Sequence, residues 1–286
     1  MNATEKSSKV AVIGAGQMGS GIAQVFATCG YCVKVYDISE EIFRTSQKRI
    51  LGSLQKLQSK DLIKETTEEI RDRISYHVNI NELADCDIFI ESAFENFAIK
   101  EEIFQKLSRI LKPTSFVASN TSSYSITALS QLIPYPERFI GFHFMNPPPI
   151  MELIEVIKGL YTHEKTFSFF WKLAKELGKT PIASKNSPGF VLNRILIPMI
   201  NEAIYALYEG ISTADQIDAA MKLGANHPIG PLALADLIGL DTVLAILKTL
   251  QKELGENKYA PCPLLENYVA KRWLGKKTKK GFYEYE

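Results

Sequence analysis

Cysteine is scarce. Cys29, Cys32, Cys86 and Cys262 are the four in 286 residues, too few for a disulfide framework, and a chain of this length buries enough apolar surface to need none. An excess of one charge is also lacking: 33 Lys and Arg stand against 32 Asp and Glu, so the basic surplus of a nucleic-acid binder is missing. Long apolar runs are absent too. The longest, Phe190 to Leu207, is interrupted by Asn193, Arg194, Asn201 and Glu202 and falls short of the roughly 18 uncharged residues of a membrane span. The early run Val10–Ile13 is too short for a secretory core, and Glu5 does not suit an Arg-rich transit peptide. The expected class is an ordinary globular protein, and the expected compartment is the cytoplasm.

One cysteine spacing carries chemical meaning. Cys29-Gly30-Tyr31-Cys32 has the C-x-x-C form of a redox site, but such sites place the first thiol at a helix N-terminus, where the dipole lowers its pKa. Here the pattern puts Cys29 at a helix C-terminus and Cys32 at the start of a strand, where the dipole works the other way. No second Cys/His pair completes a zinc site, so no metal is expected.

Two textures divide what is present. From Lys9 to about Ile182, short β-rich runs alternate with helical stretches, as in a parallel α/β sheet. The expected strands are 10–13, 32–36, 88–91, 116–118, 139–144 and 152–157. The expected helices lie near 20–28, 40–58, 67–74 and 99–110. Past the turn-forming Asn186-Ser187-Pro188-Gly189 the period is helical until a last strand-like run, 281–285. This predicts an α/β domain over 1–187 and an all-helical domain over 188–286. Pro198 should bend the helix running through 190–208. The Ala- and Leu-rich helices could bury their apolar faces against a second copy, so a homodimer formed through the helical domain is expected.

Lys9–Gly19 reads as a buried strand entering Gly14-Ala15-Gly16-Gln17-Met18-Gly19. Gly14 suits the tight turn, Gly16 the close approach of backbone to a pyrophosphate, and Gly19 the packing of helix on sheet. The helix starting near Gln17 aims unsatisfied N–H groups at phosphates. A second strand, 32–36, ends at Asp37, where a carboxylate is expected to bind ribose hydroxyls. The context is that of a Rossmann-type, mostly parallel sheet. Asp37 repels a 2′-phosphate and Ile38-Ser39-Glu40-Glu41 offers no cation, which favours NAD over NADP.

A dehydrogenase needs a group to take the alcohol proton. Of four histidines, His143 sits near the end of a strand and just before Asn146-Pro147-Pro148-Pro149, where ligands of open α/β sheets gather. Strand alternation puts Glu155 on the same face as Leu153 and Ile157, where a carboxylate is costly unless paired. Pairing with His143 would orient the ring; a satisfied core histidine is the bland alternative. Ser119–Ser123 reads either as a polar turn or as a contact to nicotinamide or substrate. Asn193, in an apolar helix, needs a partner that an ordinary helix–helix hydrogen bond could supply.

Six ordered segments carry a resemblance over essentially the whole chain: GAGQMGSGIA (14–23), SNTSS (119–123), FIGFHFMNPPPIMELIEVI (139–157), NSPGFVLNRIL (186–196), GPLALADLIGLD (230–241) and GKKTKKGFYEY (275–285). With these the chain resembles the 3-hydroxyacyl-CoA dehydrogenase family. The resemblance implies NAD-dependent, reversible oxidation of L-3-hydroxyacyl-CoA to 3-ketoacyl-CoA, in fatty acid β-oxidation or butanoate metabolism. It implies His143 as general acid/base, Glu155 as its orienting partner, and Ser122 and Asn193 near the reacting oxygen. Cofactor contacts would fall to the 14–19 turn, Asp37, Glu95, Lys100, Ser122, Asn146 and Lys277; Ser53, Lys60 and Ser122 would meet the acyl-CoA. Two positions depart from the family: Tyr124 replaces a common leucine, and Lys279 replaces the glycine of a K-T-G. A catalytic lysine four residues before Asn193, as in related sugar-acid dehydrogenases, is missing, because Gly189 stands there. A CoA-independent hydroxyacid dehydrogenase of the lambda-crystallin or L-gulonate type, and a non-catalytic NAD-binding protein, are the alternatives.

Overall fold

The computed structural model describes residues 8–286; Glu5 lies outside the described residues. The chain divides after Ser187 into two compact units, the second being Pro188–Glu286.

The first unit is built on one eight-stranded sheet in the order β3-β2-β1-β4-β5-β6-β7-β8. The strands are β1 Lys9–Ile13, β2 Cys32–Tyr36, β3 Ile74–His77, β4 Ile88–Glu91, β5 Phe116–Ser119, β6 Phe139–Phe144, β7 Leu153–Lys158 and β8 Thr180–Lys185. All neighbours pair in parallel except β6 and β7, which run antiparallel. Central strands such as β1 and β4 read as unbroken apolar runs because helices cover both their faces. Those helices are α1 Gln17–Thr28, α2 Glu40–Gln58, α3 Thr67–Arg71, α4 Phe97–Leu107, α5 Ile126–Ser130 and α6 Glu164–Glu176. The chain leaves β1 toward β2 on one side and returns to β4 on the other. That reversal opens a crevice at the strands' C-terminal ends.

Local chemistry sets the helix ends. Ser39 caps α2 by accepting from the Glu41 N–H, and Glu40 and Glu41 occupy its positive end. Phe43, Ile50, Leu54 and Leu57 form the stripe it buries. Cys29 does close α1 and Cys32 does open β2. Cys86, buried behind β4, has its thiol pushed up to about 12 by desolvation and by the neighbouring Asp85.

Three expectations are corrected. The stretch 67–74 is helical only to Arg71, after a capping box in which Thr66 and Glu69 satisfy each other's backbone; Ile74 instead begins β3. Residues 164–176 and 180–185 form α6 and β8, neither of which was anticipated as an element. The terminal run 281–285 makes an isolated bridge, Lys280 to Glu284, rather than a strand.

The second unit contains α7 Leu192–Tyr208, α8 Ala214–Gly224, α9 Pro231–Ile238, α10 Leu240–Leu254 and α11 Pro263–Ala270. Ile197, Ile200 and Ile204 of α7 pack with Leu232, Val243, Leu247 and Leu265 in its core. Pro198 lies inside α7. Two buried aspartates tie the unit together. Asp218 accepts from the Leu232 and Ala233 N–H groups (2.8 and 2.9 Å), capping α9 from another helix, and from the Tyr283 hydroxyl at 2.8 Å. Asp236 accepts from the Phe282 and Tyr283 N–H groups and from Tyr285. Burial lifts its carboxyl above the ordinary range, and those three hydrogen bonds pull against the rise. Carboxylates, not strand pairing, thus hold the C-terminal segment.

Asp218→Ala strands one buried and one half-buried N–H group and should destabilise the protein by about 3 kcal/mol. A fall in the denaturant midpoint with an unchanged slope checks this; an unchanged midpoint would refute the capping role.

Candidate active site and dinucleotide crevice

The glycine turn is built by contact. At Gly14 (φ +103°) an added Cβ would lie 2.5 Å from the Ser92 carbonyl oxygen, and at Gly19 1.8 Å from the Gly14 carbonyl oxygen. At Gly16 an added Cβ would meet nothing within 4 Å. Gly16 also caps α1 without any side-chain hydrogen bond, and no acidic residue sits in the first turn. The helix therefore opens with backbone N–H groups that no side chain caps, the arrangement that receives a phosphate. Asp37 braces the turn, its Oδ2 accepting from the Ala15 N–H at 2.7 Å and its Oδ1 from Ile38 at 2.7 Å. Ser92 Oγ, buried beside the same turn, has no hydrogen-bond partner in the structure. Exposed backbone donors, a carboxylate at the end of β2 and an orphaned hydroxyl together fit a dinucleotide.

Gln17 and Asn146 are joined, Gln17 Nε2 donating to Asn146 Oδ1 at 3.1 Å. Met18 packs on the core. Glu95 organises the serine loop: its Oε1 accepts from Thr121 Oγ1 (2.6 Å), the Ser122 N–H (3.0 Å) and Ser123 Oγ (2.8 Å). Desolvation works to raise the Glu95 carboxyl, but the Lys100 ammonium and these hydrogen bonds win and hold it below the usual range. Lys100 is only 1% exposed, with Nζ 2.7 Å from Glu91 and 3.1 Å from Glu95. Burial opposes its charge, yet the two carboxylates outweigh burial and keep it above the ordinary lysine value. Tyr124 packs edge-on against Phe97 and reaches the Glu95 carbonyl.

His143 and Glu155 are direct cross-strand partners in the β6–β7 ladder. His143 Nδ1 lies 2.8 Å from Glu155 Oε2, with His143 7% and Glu155 0% exposed. A carboxylate on Nδ1 fixes the tautomer, putting the proton on Nδ1 and the lone pair on Nε2. Two further side chains support this corner: Asn120, from the polar cluster 119–123, and Lys179, which the sequence did not single out. Asn120 Oδ1 accepts from the Phe144 N–H at 2.8 Å, tying the serine loop to the strand of His143. Lys179 Nζ donates to the Pro148 and Met151 carbonyls at 2.7 and 2.9 Å, bracing the loop between the dyad's strands; burial lowers its pKa. A lone ammonium on backbone carbonyls leaves no motif, so only the folded structure reveals the role of Lys179.

Ser53 lies within α2, and Lys60 is exposed just past its end, two turns further on. Neither side chain hydrogen-bonds or ion-pairs with the residues above. Asn193 begins α7 and Lys277 ion-pairs with Asp241 at 2.6 Å in the second unit. Lys279 has φ +60°, which explains why glycine is the commoner residue there.

Residues 9–187 match the NAD-binding domain of 3-hydroxyacyl-CoA dehydrogenases, and residues 189–285 match the C-terminal domain. The chain belongs to the 3-hydroxyacyl-CoA dehydrogenase family. It is 50% identical to a 3-hydroxybutyryl-CoA dehydrogenase of Bradyrhizobium diazoefficiens over 97% of this chain and 95% of that one. It is 40% identical to the human mitochondrial hydroxyacyl-coenzyme A dehydrogenase over 97% and 91%. The crystal structure of (S)-3-hydroxybutyryl-CoA dehydrogenase from Ralstonia eutropha superposes with a TM-score of 0.94 at 45% identity, covering 98% and 99%.

Gly16→Ala should leave the melting temperature unchanged, since its methyl meets no atom, yet weaken NADH binding by at least about tenfold. Gly19→Ala should lose both. Fluorescence titration with NADH beside a thermal melt separates the two, and a Gly16→Ala protein binding normally would refute the phosphate reading.

Proposed function

We propose that this chain oxidises L-3-hydroxyacyl-CoA to 3-ketoacyl-CoA with NAD, reversibly, and that His143 and Glu155 move the proton. The observation that carries the assignment of roles is the 2.8 Å pairing of a nearly buried imidazole with a fully buried carboxylate at the end of β6. NAD, held by the 14–19 turn and Asp37, supplies the hydride acceptor. His143 Nε2 takes the proton of the substrate's C3 hydroxyl, while the Nδ1–H stays on Glu155, whose charge stabilises the imidazolium. In the reverse direction the imidazolium returns that proton. Ser122, held by Glu95, and Asn193 are the proposed hydrogen-bonding groups for the C3 oxygen. Glu95, Lys100, Asn146 and Lys277 complete the proposed cofactor set, and Ser53 and Lys60 the contacts to CoA.

The same proposal includes a homodimer formed through the second unit. Ile195, Tyr208, Ile211, Leu223 and Leu237 all leave much of their apolar surface exposed there, surface that a second copy would cover if these side chains form one patch. It also includes a cytoplasmic setting, which Cys86 and Cys262, buried thiols, suit. No helix among the described residues is long and apolar enough to cross a membrane.

His143→Ala should lower kcat on 3-hydroxybutyryl-CoA by roughly 10³-fold with NADH affinity nearly unchanged. Glu155→Gln, which spoils the tautomer, should cost on the order of 10²-fold. Normal turnover in either variant sinks the mechanism. Elution at the mass of a single chain in size-exclusion chromatography sinks the dimer.

A further inference from the structure

Glu91 ends β4 with a fully buried carboxylate that the proposed mechanism does not use. Its Oε1 accepts from Lys100 Nζ and from the Ala93 N–H, each at 2.7 Å. Its Oε2 accepts from Ser119 Oγ at 2.5 Å. Its backbone carbonyl accepts from the Asn120 N–H at 2.7 Å. The 92–96 segment, helix α4 and the end of β5 with its loop therefore converge on one residue. Ala93 belongs to the segment whose Ser92 carbonyl presses on Gly14. Lys100 carries the link onward to Glu95, which holds Thr121, Ser122 and Ser123. Ser119 and Asn120 begin that same serine loop.

Burying the Glu91 carboxylate with the Lys100 ammonium is a costly way to fill space, and apolar side chains of similar volume would commonly stabilise as well or better. What charged hydrogen bonds supply is direction, because each acceptor oxygen fixes where its donor stands. We propose that Glu91 is a positioning residue for the dinucleotide and nicotinamide site, setting the 92–96 segment and the Ser119–Ser123 loop relative to the glycine turn. This rests on the function proposed above. The orphaned Ser92 Oγ adjoining Glu91 is one group so placed; the Ser122 hydroxyl is the other.

The test compares Glu91→Gln, Ser119→Ala, Lys100→Met and the double variant Glu91→Gln/Lys100→Met by NADH titration, steady-state kinetics and thermal melting. Glu91→Gln should weaken NADH binding and lower kcat by about tenfold each, with the pH profile of kcat unmoved because Glu155 still holds His143. Ser119→Ala, which leaves the ion cluster intact, should shift both in the same direction by about threefold without loss of folding. The double variant should bind NADH better than Lys100→Met alone, since it removes the unpaired carboxylate. A merely structural Glu91 would reduce the folded fraction, scaling kcat while leaving NADH affinity and both KM values in place; that result overturns the proposal. Should Glu91→Gln fail to fold, Ser119→Ala decides, and wild-type affinity and kcat there overturn it. Turnover of 3-hydroxybutyryl-CoA by the unaltered protein separates the two readings: inactivity there counts against the proposed function, and indifference of the variants in an active protein counts against Glu91 alone.

Discussion

A carboxylate sealed from water must be answered by a hydrogen-bonded partner, and most of what positions this site follows from that rule. Glu155 is answered by His143, so rotating the imidazole costs a buried carboxylate one of its hydrogen bonds. The ring's orientation and tautomer are therefore properties of the fold rather than of a bound substrate. The sheet supplies the rest. The one antiparallel pairing in an otherwise parallel sheet sets His143 and Glu155 in register, at the edge of the crevice that the reversal between β2 and β4 opens. Fold and dyad are two expressions of one topology.

The same rule recurs at the other buried acids. Asp218 and Asp236 answer backbone N–H groups and tyrosine hydroxyls and so replace the strand that would otherwise anchor the C-terminal segment. Asp37 spends one oxygen on the glycine turn itself. In each case acceptor oxygens are matched to donors from segments distant in sequence. Pairing of that kind fixes geometry even where its net contribution to stability is small.

Much of this was legible in the chain. The glycine turn, Asp37 and the first two strands announce themselves because contact and φ restrict which residues can stand there. Period-two alternation, a local property, puts Glu155 on an apolar face where it needs a partner, and His143 across the proline loop is a plausible one. What was not legible depends on contacts between distant segments. β3 follows a capped helix of only five residues, and its edge position gives it a mixed pattern that resembles the helix's continuation. The run 281–285 looks like a strand by composition, but no neighbouring strand lies there to pair with it. Lys179 acts on backbone carbonyls, which every residue carries, so no pattern marks it. Lys279 shows the converse: a departure from glycine that reads as a changed contact is, in the structure, a backbone in the left-handed region.

Because ladder register, not the connecting segment, brings the imidazole and its acid together, the intervening stretch from Met145 to Glu152 is released from that duty. Residues can be exchanged there, and even its length altered, without disturbing the proton-handling pair, provided the two strands keep their alignment. A slip of a single position between those strands, by contrast, would turn one of the two groups to the opposite face of the sheet and part the pair. Selection on this scaffold can thus reshape the connecting loop while leaving the His143–Glu155 pairing intact.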